Sequence, residues 1–280
     1  MSKLIMTVVG MLCAANLFVW GGVMSGAMSG DGDFYFLDVG QGDAEVVRTG
    51  RAAWMIDGGK NELAADALAN ILPFLKRRID VVFVSHPQQD HLGGLFDVIR
   101  RYDVGAVVWN GERNELWSSF SAELATRKIP AFVVTAGDVV RQEKNVFRVV
   151  WPPAGIAPSD QNDQSLVLFF SNGTTTALYA GDITEKVERA VVAAVSSTVD
   201  ILKVAHHGSK YSSSIRFLET IRPLVAVIEV GKNSYGHPTQ EVLARLADVG
   251  ARIFRTDQNG IIRIARDADG LRVLGAHQEQ

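Results

Sequence analysis

The 280-residue chain has one cysteine, Cys13, close to its amino terminus. A single cysteine excludes a disulfide within the chain and a zinc site built from thiolates. Positive charge is also scarce, because 28 lysines and arginines against 31 acidic residues give a net charge of -3. The chain therefore has no overall attraction for nucleic acid, and an anionic ligand would need local cations or a metal ion.

Long apolar runs are missing, with one exception. Residues 4–24 are almost wholly apolar, follow Lys3 and precede a stretch of small residues. About twenty apolar residues can cross a bilayer as a helix, and the same pattern is typical of a signal peptide. We therefore expect residues 1–30 to form a signal peptide or a single membrane anchor. Either would place the remainder outside the cytoplasmic membrane. A buried core helix is the alternative, and it fits the length and flanks less well.

Residues 31–280 have the composition of one globular α/β domain. Hydrophobic residues make up 47% of the chain and charged residues 21%, which argues against disorder. We find no internal repeat and no linker. Apolar strand patterns alternate with helical patterns, such as the helix predicted over Leu63 to Leu75, and polar residues recur where strands end. This order predicts layered sheets flanked by helices, with a site at the carboxyl edge of the strands.

Residues 81–94 contain the strongest functional signal. An apolar, β-branched run predicts a buried strand, and His86, Asp90 and His91 follow it in a short predicted loop. Two glycines then begin a predicted helix. Two imidazoles and a carboxylate at one strand end are the mixed ligands that divalent metals take in proteins. The alternative is a polar loop with histidines facing solvent.

Other histidines and aspartates occupy equivalent positions. Five of the six histidines lie in polar loops after predicted strands: His86, His91, His206, His207 and His237. Asp57, Asp90 and Asp182 are placed in the same way. If the strand ends meet at one edge, these groups lie in one cleft. For His237 alone, an ordinary hydrogen-bonded loop histidine is the simpler interpretation.

Six short motifs occur in a fixed order along the chain. They are Leu37–Ala44 (LDVGQGDA), Ile56–Gly59 (IDGG), Ser85–Gly94 (SHPQQDHLGG), Gly181-Asp182, His206–Ser209 (HHGS) and Tyr235–Pro238 (YGHP). Together they resemble the metallo-β-lactamase superfamily, and more narrowly the hydrolase domain of ComEC-type DNA-uptake competence proteins. The resemblance covers residues 33–265. It implies a four-layer αβ/βα sandwich with a metal site at the edge of two sheets, and hydrolysis of DNA phosphodiesters.

The resemblance also implies roles for individual residues. The implied metal ligands are His86, Asp90, His91, Asp182 and His207. Either His206 or His207 matches the late ligand, and we favour His207, with His206 as a substrate contact. Asp57 matches a carboxylate that orients ligands by hydrogen bonding. In the implied reaction, Asp90 and Asp182 hold the ion and orient the nucleophile, and His206 or His237 donates a proton to the leaving oxygen.

Two departures from the superfamily pattern bear on how many metal ions the site can hold. Gln88 stands where the superfamily usually has His or Asp, and Asn162 and Asp163 stand where many members carry another histidine. An amide oxygen is a poor zinc ligand. The expectation is therefore one or two divalent ions, zinc or manganese, with magnesium as a further option. A single-metal site and an inactive site both stay open.

Three functions follow from these observations. The first is an exported, metal-dependent phosphodiesterase or nuclease acting on DNA, with the DNA-uptake machinery as partner. Lys203, Ser209 and Lys210 are the expected substrate contacts, with solvated surface as the alternative. The second is a metallo-hydrolase of a small ester, lactone or phosphocholine-like substrate. The third is a non-catalytic DNA-binding module, for which Gln88 is the main support.

Overall fold

The computed structural model describes residues 32–50, 52–72, 77–156, 158–195 and 197–275. The predicted signal peptide or anchor, residues 1–30, and the tail histidine His277 lie outside these ranges. The division of the chain at residue 30 therefore stays a prediction. Within the described ranges, every helix is too short or too polar to pass through a bilayer.

Seventeen strands occur in the described part of the chain. They are β1 Asp33–Phe36, β2 Glu45–Thr49, β3 Ala52–Ile56, β4 Arg78–Ile79, β5 Val81–Val84, β6 Asp103–Val104, β7 Val107–Trp109, β8 Ala131–Val133, β9 Val139–Gln142, β10 Asn145–Trp151, β11 Val167–Ser171, β12 Thr176–Tyr179, β13 Ile201–Lys203, β14 Val225–Ile228, β15 Arg252–Arg255, β16 Ile262–Asp267 and β17 Gly270–Gly275. They form an eight-stranded sheet in the order β17-β16-β1-β2-β3-β5-β7-β8, a seven-stranded sheet in the order β15-β14-β13-β12-β11-β10-β9, and a small β4-β6 pair.

Helices cover the outer faces of both large sheets. The helices of the described residues are α1 Leu63–Ile71, α2 Gln89–Leu92, α3 Leu95–Arg101, α4 Glu115–Arg127, α5 Glu185–Val195, α6 Ile215–Ile221, α7 Gln240–Asp248 and α8 Thr256–Asn259, with 3-10 turns at Asn162–Gln164 and Ala205–Gly208. Helices α1, α3 and α4 pack on the first sheet, and α5, α6 and α7 on the second. This is the four-layer αβ/βα sandwich that the sequence predicted.

Alternating side chains explain how one strand serves two layers. In β1, Phe34 and Phe36 lie in the core between the sheets, whereas Tyr35 lies in the core beneath the helices of the first sheet. In β5, Phe83 faces the other sheet, and its neighbours Val82 and Val84 face the helices. Successive side chains of a strand point to opposite faces, so a strand that is apolar throughout is buried on both sides.

Parallel strands in each sheet bring their carboxyl ends to one edge. Strands β3, β5 and β7 are parallel neighbours in the first sheet, as are β12, β13 and β14 in the second. Asp57 and His86 follow β3 and β5, and Asp182 and the two-histidine turn follow β12 and β13. The predicted position of the site at the carboxyl edge agrees with this topology.

Two predicted element boundaries are wrong. Helix α1 ends at Ile71, not at Leu75, because Leu72 is extended with ψ 142° and a proline follows it. A residue before proline is disfavoured in the helical conformation. The second error concerns Asp90 and His91, which lie in the one-turn helix α2 rather than in a loop. The next helix begins after the two glycines, at Leu95.

We predict that Phe147→Ala lowers the free energy of unfolding by about 3–5 kcal/mol, because removing a buried aromatic ring leaves a cavity. Phe147 is fully buried between the sheets, with ring centroids 4.9 Å from Phe83 and 5.0 Å from Phe170. Urea unfolding measures the change. Phe132→Ala is the control, because its side chain is 55% exposed, and its effect should stay within about 0.5 kcal/mol. Equal effects of the two variants would contradict this packing.

Candidate metal centre

Three buried imidazoles are positioned by hydrogen bonds at their Nδ1 atoms. The His91 Nδ1 donates to Asp57 Oδ2 at 2.9 Å, and the His207 Nδ1 donates to the Glu229 carbonyl oxygen at 2.9 Å. The Nδ1 of His86 lies 3.0 Å from the Ser85 hydroxyl. In the neutral imidazole, a hydrogen bond from Nδ1 fixes the tautomer and leaves the lone pair on Nε2, which is the state that binds metals.

The Nε2 atoms of His91 and His207 face two carboxylates. For His91, Nε2 lies 3.4 Å from Asp182 Oδ2 and 4.0 Å from Asp90 Oδ1. For His207, the corresponding distances are 3.8 Å to Asp182 Oδ2 and 3.5 Å to Asp90 Oδ2. Two imidazole nitrogens and two carboxylates therefore point at one small volume.

This arrangement fits a divalent metal ion. Among the described residues, the buried Nε2 atoms of His86, His91 and His207 have no hydrogen-bond partner. Unpaired buried polar atoms are costly, so several pointing at one place require a bound group. The donor atoms of Asp90, His91 and His207 lie within 4.8 Å of one another, as do those of His86, His91 and Asp182. Nitrogen and carboxylate donors suit zinc and manganese.

The backbone of the two-histidine turn is unusual. His206 and His207 both have φ near 50°, at 51° and 52°, in the left-handed region that residues other than glycine seldom adopt. The His206 N–H donates to the Gly181 carbonyl oxygen at 3.1 Å, which ties the turn to the residue before Asp182. Such strain persists only where surrounding contacts enforce it. Here it places the two imidazoles in different environments, His207 buried and His206 partly open.

Charge in the centre sets the protonation of its histidines. Burial lowers the pKa of His207, but the carboxylates of Asp182 and Asp43 outweigh burial and raise it to about 10. The same carboxylates raise the pKa of His91 well above its usual value against the effect of burial. Burial and the charge of His91 lower the pKa of His86 to about 3. At pH 7, His91 and His207 are therefore protonated when no metal is bound, and His86 is neutral.

Amide and imidazole groups form the outer side of the centre. The Gln88 Nε2 donates to Asn162 Oδ1 at 2.9 Å, and Asn162 Nδ2 lies 3.4 Å from the His206 Nε2. The His237 ring packs edge-on against His206 with centroids 5.6 Å apart. Burial and the neighbouring imidazoles lower the pKa of His237 to about 4, so it is neutral at pH 7, which does not favour its predicted role as proton donor.

The structure does not favour two of the three predicted substrate contacts. Lys203 is buried, and its ammonium pairs with the Asp43 carboxylate and donates to the Gly181 carbonyl oxygen. Burial lowers the pKa of Lys203, but Asp43 and Asp182 raise it more, so the ammonium is permanently charged and compensated inside the protein. Ser209 is buried as well, and its hydroxyl accepts from the Tyr211 N–H at 3.4 Å. Lys210 is exposed and stays a predicted contact.

Sequence reasoning missed a buried acidic cluster behind the histidines. Its members are Asp43, Glu45 and Glu229, all 1% exposed or less. Burial raises the pKa of Glu45 and of Glu229, the latter to about 8. The signals were present: Glu45 shares a strand face with the buried Val47, and Glu229 interrupts the apolar run that includes β14. Asp43 lies 3.3 Å from the His207 Nδ1 and 3.5 Å from the His91 Nδ1.

Residues 37–231 match the family model of the metallo-β-lactamase superfamily. The chain belongs to that superfamily. ComE operon protein 3 of Bacillus subtilis is 30% identical over 285 residues, covering 94% of this chain and 36% of that protein. Competence protein ComA of Neisseria gonorrhoeae is 29% identical over 245 residues, covering 84% of this chain and 32% of the relative. The chain thus spans about a third of the length of the curated relatives that it matches. The predicted resemblance to ComEC-type competence proteins is confirmed.

Two solved structures share the fold. The metallo-β-lactamase fold protein YhfI from Bacillus subtilis has a TM-score of 0.57 at 10% identity, covering 83% of this chain and 100% of that one. The diiron β-hydroxylase CmlA from Streptomyces venezuelae also has a TM-score of 0.57, at 14% identity, covering 89% and 55%. These likenesses concern the fold alone.

We predict that binding of Zn²⁺ at pH 7 releases two protons, one from each of His91 and His207. Both imidazoles are charged in the metal-free protein, whereas a metal ligand must be neutral. Calorimetric titration in two buffers of different ionisation enthalpy counts the protons. The apparent affinity should also rise between pH 6 and pH 8. Binding without proton release would show that these imidazoles are not ligands.

Proposed function

We propose that the protein is a metal-dependent phosphodiesterase that hydrolyses DNA. The convergence of His91 Nε2, His207 Nε2, Asp90 and Asp182 on one volume carries this proposal, because it supplies a complete ligand set at an accessible sheet edge. Asp90 is partly exposed, with 30% of its side chain open to solvent. The centre can therefore be reached from outside.

In the proposed reaction, the metal ligands and the groups on the outer side of the centre have separate roles. A divalent ion held by these residues would supply Lewis-acid chemistry, which neutralises phosphoryl charge and lowers the pKa of water. Asp90, whose side chain is 30% exposed, would orient the attacking water. The amides of Gln88 and Asn162 would contact phosphate oxygens. His206, partly open and beside Asn162, is the group we assign as proton donor to the leaving oxygen.

Exposed cations and an aromatic ring border the centre and support DNA as substrate. Lys60, Lys210 and Lys232 are exposed and lie on three loops that also carry residues of the centre. They supply the local positive charge that the net charge of -3 does not. Tyr235 is 75% exposed, and its ring stacks on His237 with centroids 5.8 Å apart and an interplanar angle of 30°. An exposed ring beside a phosphodiesterase centre can stack with a nucleobase.

The relatives support a role in DNA uptake at the membrane. One of them is named Competence protein ComA and another ComE operon protein 3, and a third, from Haemophilus influenzae, is named Recombination protein 2. We therefore propose that residues 31–280 form the hydrolase domain and work with a DNA-uptake machinery. Residues 1–30 would place it on the outer side of the cytoplasmic membrane, as an anchor or as a signal peptide.

The central test is hydrolysis by the full chain. We expect cleavage of single-stranded DNA and of bis(p-nitrophenyl) phosphate with Mn²⁺ or Zn²⁺, and a loss of at least a thousandfold in the Asp90→Ala, Asp182→Ala double variant, since the ligand set is removed. Asp66→Ala is the control, because Asp66 of α1 forms an exposed ion pair with Arg101 of α3, away from the ligand set. Cleavage of the small ester without DNA cleavage would favour a small-molecule hydrolase. Metal binding without any hydrolysis would contradict the proposal.

A second test addresses the aromatic ring. We predict that Tyr235→Ala raises the KM for single-stranded DNA about tenfold and leaves the KM for bis(p-nitrophenyl) phosphate unchanged, because stacking of a base on a ring contributes ~1–3 kcal/mol. Steady-state kinetics on both substrates measures the difference. Tyr235→Phe keeps the ring and should behave like the unaltered protein. An equal effect of Tyr235→Ala on both substrates would refute base stacking.

A further inference from the structure

The donors around the centre fall into two sets of unequal strength. One set, Asp90, His91, Asp182 and His207, consists only of imidazoles and carboxylates. The second set consists of the buried His86, whose Nε2 has no hydrogen-bond partner, and the partly exposed amides of Gln88 and Asn162. The two sets adjoin, because the ligand atom of His86 lies within 4.8 Å of those of His91 and Asp182.

The second set is deficient as a metal site. His86 is its only imidazole, and the other two members are neutral amides that hydrogen-bond to each other, which engages the Asn162 oxygen. Zinc in proteins takes at least three nitrogen, sulfur or carboxylate ligands, and magnesium and manganese prefer carboxylates. An ion beside His86 would have to share both His91 and Asp182 with the first ion. The Nε2 of a neutral imidazole has one lone pair and binds one ion at a time. His86 is therefore the only such donor that a second ion would not share.

A buried positive charge further disfavours a second ion. The Lys203 ammonium lies 3.7 Å from Asp182 Oδ1, the oxygen of that carboxylate not directed at His91 and His207. Lys203 is fully buried, so its charge is poorly screened by water. Asp182 therefore presents one oxygen to a metal ion and the other to an ammonium.

We propose that the centre holds a single divalent ion, bound by Asp90, His91, Asp182 and His207, and that Gln88 is the residue that prevents a second ion from binding. The inference rests on the metal site of the proposed function but not on its substrate. In this single-ion centre, the amides of Gln88 and Asn162 hydrogen-bond to each other and not to a metal ion. The second N–H of the Gln88 amide would then be available to a substrate oxygen.

The test changes the one residue that limits the second set. In Gln88→Asp, a carboxylate replaces the amide, and a second ion gains the donor it lacks. The full chain is stripped with a chelator, dialysed to equilibrium against micromolar Mn²⁺ or Zn²⁺, and its metal content is measured by mass spectrometry. We expect one equivalent in the unaltered protein and two in Gln88→Asp. In electron paramagnetic resonance, Mn²⁺ should give the signal of an isolated ion in the former and an exchange-coupled pair in the latter.

Two controls make the stoichiometry specific. Gln89→Asp adds the same charge at the next position, where the exposed side chain only contacts the Lys60 carbonyl oxygen, and it should stay at one equivalent. The Asp90→Ala, Asp182→Ala double variant measures how much metal binds elsewhere on the chain. Circular dichroism confirms that each variant is folded.

Each outcome decides the inference. Two equivalents in the unaltered protein, one in Gln88→Asp, or equal gains in Gln88→Asp and Gln89→Asp would overturn it. If the unaltered protein binds one equivalent of metal but hydrolyses no substrate, the inference is supported and only the proposed function is contradicted. No bound metal in the unaltered protein would remove both.

Discussion

A buried ion pair between Asp43 and Lys203 joins the two sheets at the edge where the metal centre lies. Asp43 lies two residues before the start of β2 in the first sheet, and Lys203 ends β13 of the second. Taking two such charges out of water costs several kcal/mol for each ion, so the pair persists only where further groups compensate it. Here His91 and His207 approach the same carboxylate from the side of the centre. The Asp43 carboxylate thus both joins the two sheets and helps to position two metal ligands, His91 and His207.

Backbone contacts between loops reinforce this edge. The Asp43 N–H donates to the Asp90 carbonyl oxygen at 3.1 Å, and the Gly58 N–H donates to that of His91 at 2.6 Å. A side chain at Gly42 would collide with the Asp90 carbonyl, and one at Gly231 would collide with the backbone of Gly40. Gly42 and Gly231 are therefore packing requirements. They allow three loops to touch through their backbones, which holds the ligand-bearing turn rigidly.

The sequence predicted what its local patterns encode. The alternation of strand and helix patterns predicted layered sheets, and the spacing of His86, Asp90 and His91 after the apolar run of β5 predicted a metal site at a strand end. Lys203 was misjudged because its partner lies 160 residues away, and a lysine after two apolar residues looks like surface. Glu45 and Glu229 were missed for the same reason, since burial of a charge is intelligible only once its neighbours are known. The helical turn at Asp90 was missed because four residues are too few for a periodicity.

The centre described by these contacts is one ligand set with an amide pair beside it. Its most direct test is the anomalous diffraction of crystals soaked in Zn²⁺, recorded on both sides of the zinc absorption edge. The account predicts one strong anomalous peak, bonded to Asp90, His91, Asp182 and His207. A peak within the buried acidic cluster of Asp43, Glu45 and Glu229, or an ion that omits His91 and His207, would contradict it.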